Sequence, residues 1–235
     1  MSDHGLDRNI KITPDGPYLV TGGIPLQEET IIANAHGRSV RWEAGHRYKV
    51  AEQYALCRCG ESGNSPFCDG SHRQTRFNGT ETASREPYLE QAQLIEGPTL
   101  ILTDVVPLCA YVRFCHRPEG SVWELTEQSD DPELRESAIA GAANCAAGRL
   151  ITWDRESRQS IEPHYEPSIG VVEDPPQGVS GPLWVRGGIP VVGEDGQAYE
   201  KREQLALCRC GQSDNKPFCD ASHVQVGFRA RSTRD

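Results

Sequence analysis

Tyr54 to His72 reads YALCRCGESGNSPFCDGSH, and Leu205 to His223 reads LALCRCGQSDNKPFCDASH. Fourteen of the 19 aligned positions are identical, so the chain carries an internal duplication. A second pair lies upstream, GPYLVTGGIP from Gly16 to Pro25 and GPLWVRGGIP from Gly181 to Pro190. The offset is 165 residues for that pair (181 against 16) and 151 for the cysteines (208 against 57). The first copy therefore holds about 14 extra residues between Pro25 and Cys57, which read as a loop or an extended hairpin.

Each copy reads as mainly β ahead of its cysteines. Tyr18-Leu19-Val20 and Leu183-Trp184-Val185 are short apolar strands stopped by Gly-Gly and then Pro. His46 to Val50 alternates as a strand does, and Tyr199 at the 151 offset from Tyr48 predicts the same strand in the second copy. Pro66 and Pro217 stand where a helix begins, with Ser65 as a cap in the first copy. A helix from Pro66 to His72 would set Cys68 and His72 on one face, four residues apart.

Cys57, Cys59, Cys68 and His72 recur as Cys208, Cys210, Cys219 and His223. Thiolate and imidazole are the donors that borderline and soft metals prefer. On an extended backbone alternate residues share a face, so Cys57 and Cys59 suit one iron and leave Cys68 and His72 for another. The same holds for Cys208 and Cys210 against Cys219 and His223. The spacing suits a 2Fe–2S cluster in each copy. Tetrahedral zinc is the rival, although structural zinc sites usually use Cys-x2–4-Cys pairs. Buried cysteines without metal form a third reading, which leaves the recurrence of four donors unexplained.

The balance of 24 basic against 34 acidic residues gives a net charge of −10. That disfavours nucleic acid and anionic membrane, which ask for basic patches. An acidic surface also fits a basic redox partner, although charge alone does not identify one. No run of 18 apolar residues exists, and the N-terminal Met-Ser-Asp-His-Gly-Leu-Asp-Arg lacks the pattern of a secretory signal. The expected location is the cytoplasm, where nine cysteines serve as metal ligands more readily than as disulfides.

CRCGESGNSPFCDGSH resembles the signature of CDGSH iron–sulfur domains, the mitoNEET-like family. The second copy departs at Ala221, where the motif has glycine, and a methyl group there is expected to press on local helix packing. The resemblance covers both repeats. It implies a 2Fe–2S cluster held by three cysteines and one histidine in each copy. It also implies a two-lobed α+β, β-rich fold with a β-cap, the two modules pairing as an intramolecular pseudo-dimer. The expected modules are residues 9–85 and 178–235, around a middle segment at 90–176, in a chain that stays monomeric. One imidazole in place of thiolate predicts potentials between those of plant-type clusters, about −400 mV, and two-histidine Rieske centres, roughly −150 to +300 mV. Because imidazole ligates when neutral, acid is expected to weaken both sites. Asp69, Ser71, Asp220 and Ser222 are candidates either for hydrogen bonds around the ligands or for capping.

Between the repeats, Thr99 to Thr103 reads as a strand, Asp131 to about Asn144 as a helix with Pro132 at its first position, and Leu150 to Trp153 as another strand. Leu134, Ala138 and Ala142 repeat every four residues, Gly148 is a stop, and Asp174 to Gly178 (DPPQG) marks the boundary to the second repeat. Cys109, Cys115 and Cys145 in this frame resemble mono-cluster ferredoxins, with Ala146 where the usual proline would follow the last cysteine. Val112 stands where that family often has a further cysteine or an acid. Three thiolates fit a 3Fe–4S cluster; a 4Fe–4S cluster needs a fourth ligand, for which His116 is nearest. Core cysteines without a cluster are the alternative.

No nucleophile–base triad or phosphate loop is recognisable; Gly22-Gly23 and Gly187-Gly188 are strand punctuation, and His164 reads as a surface histidine. The expectation is a non-enzymatic electron carrier. The alternatives are a cluster store or donor, serving redox or apo-iron–sulfur partners, and a redox subunit of an enzyme.

Overall fold

The computed structural model describes residues 7–231; the N-terminal residues weighed for a signal lie mostly outside that range. In the first copy β1 (Asn9–Ile12) and β2 (Tyr18–Thr21) form a hairpin, and β3 (Leu26–Ala33) and β4 (Ser39–Tyr48) form a longer one. The strand β5 (Gln53–Leu56) then returns antiparallel to β2. The extra residues of the first copy thus extend a hairpin, one of the two forms expected.

In the middle segment α1 (Tyr88–Gln91) leads to β6 (Gln93–Glu96) and β7 (Leu100–Asp104). The short strands β8 (His116–Arg117) and β9 (Gly120–Ser121) pair with each other. Next come α2 (Val122–Glu127), α3 (Pro132–Ala143), β10 (Leu150–Asp154) and β11 (Ser160–Ile161). The sheet order is β11-β10-β7-β6. Asp131 caps α3 by accepting from the Glu133 and Leu134 amides, with Pro132 in the first turn, so both start signals in the sequence act as read. Ala138 and Ala142 face the core from that helix.

The second copy has β12 (Ser168–Asp174), β13 (Val179–Arg186), β14 (Val191–Val192) and β15 (Gln204–Leu207). Its registers repeat those of the first: Tyr18 faces Leu56 as Leu183 faces Leu207, and Val20 faces Tyr54 as Val185 faces Leu205. β12 is the counterpart of β1, since Ile12 faces Tyr18 and Val171 faces Leu183. The sheet therefore runs across the Asp174–Gly178 stretch read as a boundary.

The two copies exchange edge strands. β14 of the second copy lies parallel to β1, with Ile10 opposite Val191. β3 of the first copy lies parallel to β12, with Leu26 opposite Ile169. Leu26 and Val191 are equivalent at the 165 offset, so the exchange is reciprocal. Alternation then turns one face of each strand inward. Ile10, Ile12, Tyr18, Val20 and Leu56 meet Ile169, Val171, Leu183, Val185 and Leu207 in a single core. Each such side chain removed from water is worth roughly 1.5–3 kcal/mol, so the shared core holds the pair together. The β-rich fold of several sheets is as the resemblance implied, and the strand exchange is consistent with the paired modules.

The inserted hairpin has a packing role. Trp42 on β4 stacks on Phe114 of the middle segment (4.8 Å between centroids) and leans on Trp184 of the second copy (4.7 Å). Ala110, Val112, Phe114 and Cys145 join Val172, Trp184, Ala206 and Cys219 in a second core, which seats the middle segment on the second copy.

Two local expectations are corrected. No helix spans Pro66 to His72: the Ser65–Pro66 and Lys216–Pro217 peptides are cis, and helical turns occupy only Ser71–Arg73 and Ser222–Gln225 (α4). The strand through Tyr48 has no counterpart at Tyr199, where a lone bridge between Val192 and Ala198 is present. What the two tyrosines share is a partner, since Tyr48 packs edge-on against Phe67 and Tyr199 against Phe218.

Candidate metal centres

Each CDGSH-like loop is folded back on the strand before it. The Cys57 amide donates to the Pro66 carbonyl (2.8 Å) and the Cys68 amide to Ala55 (2.9 Å). In the second copy Cys208 donates to Pro217 (2.8 Å) and Cys219 to Ala206 (2.9 Å). Ladder-like pairing thus carries each third cysteine to the first two without a helix. Inside the loop Ser62 bonds the Phe67 carbonyl and Ser213 the Phe218 carbonyl, both at 2.7 Å.

Asp69 and Asp220 are tied to the loop backbone. Asp69 accepts from the Gly63 amide (2.8 Å) and from both the amide and hydroxyl of Ser71. Asp220 does the same with Asp214 and Ser222. These donors, Ser71 first, hold the Asp69 carboxyl down at about 2. Of the two roles weighed from sequence, the observed bonds are those of loop ties and caps.

The donor spacings test whether the residues suit a metal. Two thiolates about 2.3 Å from one tetrahedral metal stand about 3.8 Å apart, and a thiolate–imidazole pair about 3.5 Å. Cys57 and Cys59 have their sulfurs 3.7 Å apart, as do Cys208 and Cys210. Cys68 Sγ lies 3.5 Å from His72 Nδ1, and Cys219 Sγ 3.4 Å from His223 Nδ1. Each donor pair is therefore spaced for one metal. Among the described residues no group of three or more such donors closes on a single ion. Two such pairs recur in each copy.

The residue between the paired cysteines went unnoticed in the sequence, although it is arginine in both copies. Arg58 and Arg209 are 1% and 2% exposed. Arg58 reaches the carbonyls of Thr13 and Gly79 and lies over the Tyr18 and Phe77 rings, while its buried Nε has no partner. Arg209 reaches Gly181 and Val172 and forms an ion pair with Glu173 at 2.8 Å. Buried cations beside a cysteine-rich loop fit an anionic group, since charge removed from water needs a counter-charge.

The loops of the two copies meet in reciprocal contacts. A Cβ on Gly60 would lie 2.5 Å from the Cys210 carbonyl oxygen, and one on Gly211 2.5 Å from that of Cys59. The Tyr18 hydroxyl also crosses over to the Cys208 (2.9 Å) and Pro217 (3.1 Å) carbonyls. The sites nevertheless differ in exposure. Cys68 and His72 border an open groove that includes Arg73 and Arg76. Cys219 and His223 are each 3% exposed. Burial pushes the Cys219 thiol well up and the His223 imidazole down to about 4, keeping the latter in the neutral form that ligates.

At the substituted glycine the backbone is left-handed in both copies, with φ 92° at Gly70 and 73° at Ala221, and a Cβ at Gly70 would meet nothing within 4 Å. Alanine at 221 therefore carries a cost in backbone conformation.

In the middle segment the three cysteines converge. Cys109 follows a 3-10 turn after β7, Cys115 precedes β8, and Cys145 closes the end of α3 with its amide on Ala142. The loop from Cys109 to Cys115 turns through positive φ at Tyr111 (54°) and Arg113 (63°). Cys109, Cys115, Cys145 and His116 line one cavity of about 270 Å³. Val112 is buried in the apolar core, and Ala146 at the proline position is fully buried. Burial pushes the Cys115 thiol up to about 12. Arg149, also missed in the sequence, lies near Cys109 and grips Asp104 with two bonds, and Asp104 also accepts from Trp123 Nε1. His164 is exposed, 3.5 Å from Glu203, as a surface histidine would be.

Family models match three stretches. Residues 15–73 and 180–224 match the family described as iron-binding zinc finger CDGSH type. Residues 95–155 match the divergent 4Fe-4S mono-cluster family. Comparison with curated proteins and with solved structures returned no significant match. The chain is thus an iron–sulfur protein in which two CDGSH-type regions flank a divergent mono-cluster ferredoxin-like region.

Proposed function

We propose that the protein is a non-enzymatic electron carrier with one 2Fe–2S cluster in each CDGSH-type copy. The observation that carries this reading is the two-plus-two donor spacing, the same in both copies to 0.1 Å. Cys57 and Cys59 would hold one iron and Cys68 and His72 the other; Cys208 and Cys210, then Cys219 and His223, would do the same. Bound there, the cluster supplies one-electron chemistry. The chain's own part is to present thiolates, keep the His223 imidazole neutral and exclude water from the second copy.

Cys109, Cys115 and Cys145 would hold a third cluster, of the 3Fe–4S or 4Fe–4S type. The shared cavity and the family match at 95–155 support it, with His116 on the rim as the available fourth donor. Iron and sulfide analysis with visible absorption tests the reading. About four irons per chain correspond to the two binuclear clusters alone, and seven or eight to a third cluster. Zinc without sulfide would refute it. Reversible reduction without loss of colour is the expected redox behaviour.

The exposure of Cys68 and His72 favours a second role as cluster donor, because ligands at a surface can be passed to an acceptor. Delivery of intact clusters to an apo-ferredoxin would identify it. A redox subunit of an enzyme is the third reading, tested by co-purification with a catalytic partner. No described helix is long and apolar enough to cross a membrane. Nine free cysteines suit a reducing cytoplasm, and the internal pairing suits a monomer, which sedimentation would verify.

A further inference from the structure

Reduction adds negative charge to a site, so groups that differ between the copies rank the sites. The register of the strands aligns Ile12 with Val171; counting on from there sets Thr13 against Val172 and Pro14 against Glu173, with a β-bulge between Val171 and Glu173 in the second copy. Arg58 and Arg209 use the first of these equivalent positions alike, each donating to the Thr13 or Val172 carbonyl. At the next position they part. Glu173 pairs with Arg209 at 2.8 Å and is held there by the Ser180 hydroxyl (2.6 Å). Pro14 offers Arg58 no carboxylate, and no ion pair of Arg58 is found among the described residues.

We propose that the two CDGSH-type sites are made unequal, the first accepting an electron at higher potential because Glu173 neutralises Arg209 while Arg58 keeps its charge. This rests on the reading of each copy as a 2Fe–2S site. Burial acts in the same direction: Cys219 and His223 are shielded from water, whereas Cys68 and His72 border solvent. Arg73, an exposed cation beside Cys68 whose place is taken by Val224 in the second copy, acts in the same direction but is screened by solvent. Lys216 beside Cys208 opposes the order, and in the first copy Asp15 and Glu61, which stands where the second copy has Gln212, do too. Lys216 is partly in water and the two carboxylates are exposed, one Asp15 oxygen being taken by the Gly79 amide, so solvent screens all three. The Arg113–Asp174 pair near His223 is internally neutral.

A potentiometric titration of the full chain with dithionite, followed by electron paramagnetic resonance, reads this ordering. Each step adds one electron to one site, and no bond breaks. Two steps are expected. Glu173→Gln keeps the hydrogen bonds but removes the charge, and moves the lower step up while leaving the upper in place. His72→Cys identifies the first copy, because a thiolate moves the upper step down; if that variant loses its cluster, the upper step disappears. Asp15→Asn moves neither. Equal potentials in both copies, no movement with Glu173→Gln, a lower step that answers to His72→Cys, or an upper step that answers to Asp15→Asn overturns the proposal. Absence of any 2Fe–2S signal fails the earlier reading instead, and is visible before the titration starts.

Discussion

Gly60 of the first copy rests against the backbone of Cys210 in the second, so closely that a Cβ would lie 2.5 Å from the carbonyl oxygen. The reciprocal contact of Gly211 on Cys59 makes this a symmetric seam between the two metal loops. Gly60 also has φ 81°, which an L side chain adopts at a cost.

Gly60→Ala is therefore expected to lose about 2–5 kcal/mol, combining left-handed strain with overpacking against rigid backbone. Denaturant unfolding of the loaded protein measures it, and a loss under about 1 kcal/mol would show that the seam yields.

Ala221→Gly is expected to act in the opposite direction. Relief of the left-handed alanine outweighs the added freedom of the unfolded chain, for a gain of about 0.5–1 kcal/mol. The mirror change, Gly70→Ala, should cost a similar amount, since open space surrounds Gly70 and only the backbone term remains. A Tm that falls with Ala221→Gly would contradict this.

Iron chelation should proceed in two phases. The first copy presents Cys68 and His72 at an open groove, while Cys219 is part of the second core and His223 is buried. Visible absorbance under excess chelator should decay quickly and then slowly, and His72→Ala should abolish the fast phase alone. Removal of the slow phase by that variant would reverse the assignment.

Breaking Arg113–Asp174 is expected to cost about 3–5 kcal/mol, the range for a buried pair left with one charge. The side chains are 9% and 2% exposed and bonded twice, at 2.6 and 2.8 Å. Asp174→Ala leaves Arg113 buried without its counter-charge and frees the Cys109–Cys115 loop from the second copy. Unfolding midpoints and the colour of the middle site report both effects.

Acid sensitivity of the middle segment should depend on Glu124. In the capping box at the start of α2, Ser121 and Glu124 bond reciprocally, and the Ser121 amide holds the Glu124 carboxyl below its ordinary value. A depressed carboxyl stabilises the fold above the unfolded pKa of about 4.3 and loses that contribution as pH falls through the folded value. Glu124→Gln should flatten stability against pH in that window, and an unchanged slope would count against the box.

The duplication was legible because the two copies, with their candidate donors, recur by identity and spacing. The helix at α3 was equally legible, since Asp131, Pro132 and the four-residue repeat of Leu134, Ala138 and Ala142 are local signals. Pro66 misled because proline opens helices and loops alike, and here the chain turns back on β5 through the Cys57 and Cys68 amides. The strand exchange was hidden, because which copy receives Leu26 or Val191 is settled by tertiary packing. Arg58 and Arg209 were visible as letters, but their burial and the partner Glu173 depend on a register that only the fold supplies.

The reciprocal exchange of β3 and β14 has a consequence for how this molecule can change. In an assembly of identical chains every substitution lands on both sides of the axis at once. Here the two halves remain interlocked by their edge strands while one chain encodes both, so each side varies alone. Pro14 against Glu173, Gly70 against Ala221 and Arg73 against Val224 are differences of that kind. One chain carrying both copies thus holds two unlike faces, one bordering an open groove and one packed against the middle segment.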